Sequence, residues 1–166
     1  NEIVGWSFTD PGEAARLRIA TPDPRATPVT LSNPLSEDQS VMRTILLGSL
    51  LGAAQRNLSR GAERVGLFES GRVYLPAADV GPGPLGGDFP GRRRAPANEP
   101  QHLAALVVGS LDPPSWSDPR ETADFYALKG VLERLGAGLG VPLTVRPGEQ
   151  PFLHPGRSGE VLASGT

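Results

Sequence analysis

The chain has 166 residues, enough for one domain with a real hydrophobic core. Hydrophobic residues make up 38% and charged residues 20%, a globular balance, while a formal charge of −2 and a pI of about 5.7 argue against a module that binds nucleic acid by itself, which would be basic. The absence of cysteine excludes disulfides, thiolate metal sites and thiol redox chemistry, and with no apolar run long enough to span a bilayer and no signal peptide the expected location is cytoplasmic.

In chain order, Glu2–Phe8 reads as a short strand, with Ile3 and Gly5 alternating with Val4, Trp6 and Phe8. A chain opening inside a strand is expected to be an excised fragment. Asp10-Pro11-Gly12 forms a turn and Glu13–Ile19 is predicted as a short helix. Thr21–Arg25 is expected to be loop, because Pro22 and Pro24 oppose a helix. Val29–Leu31 reads as a short strand.

The stretch Asn33–Leu75 organises the rest. Ser36 and Gln39 have the form of a capping box. The spacing predicts a helix through Val41–Leu58, with Met42, Leu46, Leu47, Leu50, Leu51, Ala53, Ala54 and Leu58 on one arc. Gly48 and Gly52 lie on the weaker face, either as tolerated surface glycines or to admit another backbone closely. Two polar residues, Arg43 and Asn57, fall within the apolar arc. In the following strand, Val65, Leu67, Val73 and Leu75 alternate at period two, and Glu69 shares their face. A buried arginine needs a carboxylate or several carbonyls. Glu69 is therefore expected to pair with Arg43 or Arg56; the plainer alternative is an arginine at a helix end reaching solvent.

The segment 76–100 is expected to be a flexible loop. Its Gly81–Gly86 run matches a dinucleotide fingerprint only formally, since prolines occupy variable slots and no helix opens after it. Arg92, Arg93 and Arg94 form the one basic run, either a solvated loop or a contact for tRNA or an acidic partner. His102–Gly109 is predicted as a buried strand. Asp118, Pro119 and Glu121 mark the N-cap, first and third positions of a second helix. Its stripe is Phe125, Leu128, Leu132, Leu135 and Leu139, and Gly140 with Pro142 stops it. Strands are expected at Val141–Val145, Pro151–His154 and Glu160–Ala163. Strands in small groups between long helices, without regular βαβ alternation, predict an α+β fold with an antiparallel sheet flanked by helices.

Reactive groups are sparse. His102 and His154 lack further ligands at metal spacing and read as structural. Ser158 lacks the glycines of a nucleophile elbow. Asp118 and Glu121 are accounted for by capping, Glu133 falls on the polar side of its helix, and Lys129 reads as solvated or salt-bridged. No set of residues assembles into an active site: no catalytic, cofactor-binding or metal residue is assigned.

The stretches NPLSEDQSVMRTILLGSLLGAAQRN and LFESGRVYL, followed by HLAALVVG, DFYALKGVLERL and FLHPGRSGEV, resemble the beta subunit of bacterial phenylalanyl-tRNA synthetase, in its catalytic-like module. The resemblance covers nearly the whole chain apart from the Gly/Pro-rich middle. It implies a class II aminoacyl-tRNA synthetase-like fold, incomplete at both ends, with residues 1–166 forming a single catalytic-like but non-catalytic domain. The catalytic alpha subunit carries a helix with a Leu-Arg-Thr start, then Gly-Arg-Val-Tyr-Arg, whose last arginine binds the ATP phosphate. Here Arg43-Thr44 lead to Gly71-Arg72-Val73-Tyr74-Leu75, so Leu75 stands in the arginine's place. In the alpha strand His-Gln-Val-Glu-Gly-Leu-Val-Val, the glutamate matches Ala104 here, and Ala127-Leu128-Lys129-Gly130 matches a downstream Asp-Leu-Lys-Gly. A leucine cannot neutralise phosphate or adenylate charge.

The resemblance further implies an α2β2 enzyme joining phenylalanine to tRNA(Phe) with ATP and Mg2+, in which this domain binds no cofactor and packs against the alpha subunit. Candidate surfaces for that contact are the Gly48/Gly52 face and apolar residues around Trp116. The competing expectations are a free-standing class II ligase-type enzyme with a differently aligned ATP site, and a tRNA-contacting module.

Overall fold

The computed structural model describes residues 1–76, 97–110 and 122–163. Eight short strands and three α-helices follow in chain order among them. They are β1 (Phe8–Thr9), α1 (Glu13–Arg16), β2 (Val41–Met42), α2 (Leu47–Ser59), β3 (Val65–Arg72) and β4 (Leu75–Pro76), then β5 (Ala97–Asn98), β6 (Gln101–Val108), α3 (Phe125–Leu139), β7 (Leu143–Pro147) and β8 (Gly159–Ala163). The α+β class agrees with expectation. In place of one sheet, the strands form four two-stranded sheets, β1–β2, β3–β6, β4–β5 and β7–β8. The chain divides into two compact units, one of Asn1–Gly52 with Phe68–Ala105, the other of Ala53–Leu67 with Leu106–Thr166.

In the first unit the opening segment lies along β3 rather than forming the full predicted strand. Ile3 N donates to Phe68 O at 2.9 Å, and Glu2 makes a parallel bridge with Phe68. Only Phe8–Thr9 becomes strand, antiparallel to β2 with Phe8 opposite Met42 and Thr9 opposite Val41. Helix α1 is shorter than predicted and stops at Arg16; Leu17 and Ile19, just beyond it, are buried. The Thr21–Arg25 loop instead enters a 3-10 turn, Pro24–Ala26, because Asp23 caps it by accepting from Arg25 N at 2.9 Å, and Pro24 occupies a position where no N–H is required. Val29–Leu31 supplies only a bridge, Thr30 to Val41.

The largest departure concerns the organising helix. Ser36 precedes a 3-10 turn, Glu37–Gln39, without a side-chain cap bond, and the chain then becomes extended. Val41–Met42 is strand, and α2 begins only at Leu47. Tertiary pairing prevails over periodicity here: Met42 N donates to Val29 O at 2.8 Å and Arg43 N to Ser7 O at 2.9 Å, bonds a continuous helix would forfeit. Of the predicted arc, Leu46, Leu50, Ala53 and Ala54 are buried, whereas Leu51 and Leu58 are about two-fifths exposed. Asn57 is exposed as well, its amide donating to Ala53 O one turn back at 2.8 Å. Strand β3 alternates as predicted, burying Val65, Leu67 and Glu69, and Val73 beyond it is fully buried. Full burial of a leucine such as Leu50 stabilises by about 1.5–3 kcal/mol.

The ends of the expected 76–100 loop are paired, with Leu75 opposite Asn98 and Pro76 opposite Ala97. Strand β6 forms at the predicted place but is not deeply buried, with Leu103 59% exposed. Among the described residues it pairs with β3 in a two-stranded sheet. The expectations for Gly81–Gly86, Arg92–Arg94, Trp116, Asp118 and Glu121 lie outside the described residues.

In the second unit, α3 starts at Phe125, with Asp124 as its cap: Asp124 Oδ1 accepts from Ala127 N at 2.8 Å. Gly140 terminates the helix at φ 68°, a left-handed conformation glycine adopts without steric cost. Strand β7 starts two residues later than predicted and pairs antiparallel with β8, Leu143 opposite Ala163 through Pro147 opposite Gly159. The predicted strand at Pro151–His154 is a turn, where Leu153 N donates to Gln150 O and Gly156 N to His154 Nδ1. Pro151 and Pro155 lack the N–H groups a ladder requires.

Candidate functional site

The most concentrated polar constellation among the described residues is built on Glu69. Alternation along β3 turns this side chain inward, leaving it 1% exposed. Three donors converge on it. Arg43 Nη1 reaches Oε1 at 2.5 Å, Ser49 Oγ reaches Oε2 at 2.5 Å, and Gly5 N reaches Oε1 at 3.0 Å. The close approach at Gly5 requires the absence of a side chain, since a Cβ there would lie 2.7 Å from Ser49 Cβ.

Arg43 is held as firmly. Its Nε donates to Arg72 O at 2.9 Å, its backbone N to Ser7 O, and its carbonyl accepts from Tyr74 N at 2.9 Å. Burial is the largest single influence on the Glu69 carboxyl and pushes its pKa up. The Ser49 hydroxyl, the Arg43 guanidinium and the Gly5 amide together outweigh it and hold the pKa below the usual range. The expected partnership of Glu69 is thus with Arg43; Arg56, at the exposed last turn of α2, is not the partner.

A second carboxylate escaped the sequence reading. Glu13 on α1 lies against Gly48 in the first turn of α2, in the space a Cβ would occupy, and accepts from Thr9 Oγ1 at 2.8 Å. The close approach anticipated at Gly48 is therefore a carboxylate rather than another backbone, and that part of the proposed alpha-subunit face is filled from within the chain. The available signal was Gly48 itself, a helix-interior glycine with a steric reason.

The remaining residues stay scattered. Leu75 is half-buried in β4, Ala104 half-buried in β6, and Arg72 is exposed and paired with Glu99 at 3.1 Å. Lys129 pairs with Glu133 one turn along α3, and both lie on the surface. His102 is exposed on β6, His154 closes its own turn, and Ser158 Oγ donates to Gly148 O at 2.5 Å. Among the described residues no three His, Asp or Glu side chains gather to hold a metal ion. The residues at the matched phosphate and carboxylate positions do not fit ATP with Mg2+: both are apolar, and the guanidinium of Arg43 is spent on Glu69 and a carbonyl. The constellation satisfies its own charges and so suits a structural role.

The chain matches the family model for the phenylalanyl tRNA synthetase beta chain CLM domain over residues 1–166. Similar curated relatives include phenylalanine–tRNA ligase beta subunits from Geobacter metallireducens, 38% identical over 98% of this chain, and Xanthomonas euvesicatoria, 41% identical over 99%. The corresponding subunit of Moorella thermoacetica is 38% identical over 98% of the chain. This chain spans 19%, 18% and 18% of those relatives' lengths, respectively. The family model matched along the whole sequence and the relatives at 38–41% identity agree: the chain belongs to the family of phenylalanyl tRNA synthetase beta chain CLM domains.

Proposed function

We propose that this domain is a non-catalytic structural module of a phenylalanine–tRNA ligase beta subunit. On this reading residues 1–166 form one class II synthetase-like domain without catalytic, cofactor-binding or metal-binding residues of its own. It supports a cytoplasmic α2β2 enzyme in which the alpha subunit attaches phenylalanine to tRNA(Phe) with ATP and Mg2+. The observation that carries the proposal is the fate of Arg43. This arginine of the matched Arg-Thr pair has its guanidinium bonded to a 1% exposed carboxylate and a backbone carbonyl of the chain itself. Leu75 and Ala104 at the matched reactive positions agree with it.

The test is ATP binding to the full-length beta chain free of its alpha partner, in the presence of magnesium. The expected result is no saturable site in this domain up to about 1 mM nucleotide. A micromolar site whose photoaffinity label maps to residues 1–166 would instead make the domain an enzyme core. The interface half is checked by hydrogen exchange of the beta chain with and without alpha. Protection within residues 1–166 is expected, and unchanged exchange throughout would remove the interface role.

A further inference from the structure

Leu35 is 94% exposed, the most exposed of the large apolar side chains among the described residues. The loop that carries it, 32–39, is closed at its base. Leu31 N donates to Ser40 O at 2.9 Å, Met42 N donates to Val29 O at 2.8 Å, and Thr30 bridges Val41. Within it, Gln39 N donates to Ser36 O at 3.2 Å and Ser40 Oγ to Glu37 O at 2.8 Å, around the 3-10 turn Glu37–Gln39. Pro34 fixes its own φ and confines Asn33 before it to extended backbone. A surface loop with joined ends and its own internal bonds is pre-shaped. Leu35 gains nothing from the fold, and the bonds around it lower the cost of ordering it against another surface.

Two carboxylates follow the leucine. Glu37 and Asp38 are exposed, and neither makes an ion pair among the described residues. Arg16, Arg25, Arg43 and Arg72 of the same unit are paired elsewhere, to Asp10, Asp23, Glu69 and Glu99. An apolar tip followed by two acids without a cation complements an apolar pocket with a basic rim. A nucleic acid does not fit, because its phosphates would repel both acids. We propose that the 32–39 loop is a docking prong whose Leu35 enters such a pocket on the alpha subunit, with Glu37 and Asp38 meeting the basic rim. The choice of partner rests on the interface reading above; the choice of loop rests on Leu35 and the two acids.

The experiment is hydrogen exchange on the full-length beta chain, alone and with alpha, read in peptides covering 31–42, together with the association and dissociation rates of alpha on variants. Amides of the loop exchange rapidly in beta alone and slow about tenfold when alpha is added. Leu35→Ala raises the dissociation rate of alpha about tenfold at unchanged Tm, since the lost side chain is almost wholly outside the fold. Glu37→Gln with Asp38→Asn lowers mainly the association rate, about threefold, and flattens its salt dependence. Protection elsewhere in 1–166 with none in the loop would overturn the prong and leave the interface reading standing; no protection anywhere in 1–166 would overturn both. A loop already protected in beta alone would assign Leu35 to the rest of that chain, and protection that grows with beta concentration would assign it to a second copy. Either result overturns the proposal, as does a Leu35→Ala dissociation rate within about twofold of the native one.

Discussion

Helices α2 and α3 carry nearly the same signature, leucines at helical spacing behind an acidic or polar start, and the fold treats them differently. In and just before α2, Leu46 and Leu50 are at most 1% exposed. On α3, Phe125, Leu128, Leu135 and Leu139 are 37–69% exposed. The charges divide likewise: Arg43 and Glu69 near α2 are buried and fully bonded, whereas Lys129 and Glu133 on α3 pair at the surface. Periodicity states which residues share a face; whether that face is covered depends on segments remote in sequence. Around α2 those are Gly5, Glu13 and Glu69, each meeting the helix or its approach through a specific small or charged side.

Five substitutions sharpen or break this contrast, measured as local opening free energies by hydrogen exchange in the full-length chain. Arg43→Ala carries the largest cost, about 3–5 kcal/mol, because it strands the Glu69 carboxylate in the interior. The cost depends on pH. Since the Glu69 pKa is depressed in the fold, its stabilisation is fully present above the unfolded value and is lost as pH falls through the folded value. Glu69→Gln removes that acid-side loss, so an unchanged acid profile in the variant would show that Glu69 is not the titrating group. Leu50→Ala follows, at about 2–5 kcal/mol for a fully buried leucine. Gly140→Ala costs about 1 kcal/mol through its left-handed backbone, read as fraying of the last turn of α3. Leu135→Ala costs least, about 0.5 kcal/mol, since its side chain is already 40% exposed. Equal costs at Leu50 and Leu135 would erase the distinction between the helices.

Much of the site's identity was readable along the chain. Period-two alternation placed Glu69 with Val65, Leu67 and Val73, and the demand of a buried arginine for a carboxylate put Arg43 among its two candidate partners. The reading erred on conformation at the same residue. Val41–Leu46 has helical periodicity, yet Met42 and Arg43 bond to Val29 and Ser7, so the segment is extended and α2 starts later. Two signals were present without their meaning. Gly48 could equally have been a surface glycine, and Asp124, immediately before Phe125, was passed over for Asp118 although it is the residue whose carboxylate accepts from Ala127 N.

The sequence by itself determined the secondary-structure class, the stop of α3 at Gly140, the inward set on β3 and the family, because these depend on local sterics, strict periods and ordered motifs. Tertiary structure decided where α2 begins, which arginine Glu69 holds, that Glu13 rather than a backbone fills the space at Gly48, and that the α3 stripe is exposed while Leu50 is not. Each of those outcomes turns on a partner many residues away, and the energy of a buried charge or a missing Cβ is set by the group that meets it rather than by its neighbours along the chain.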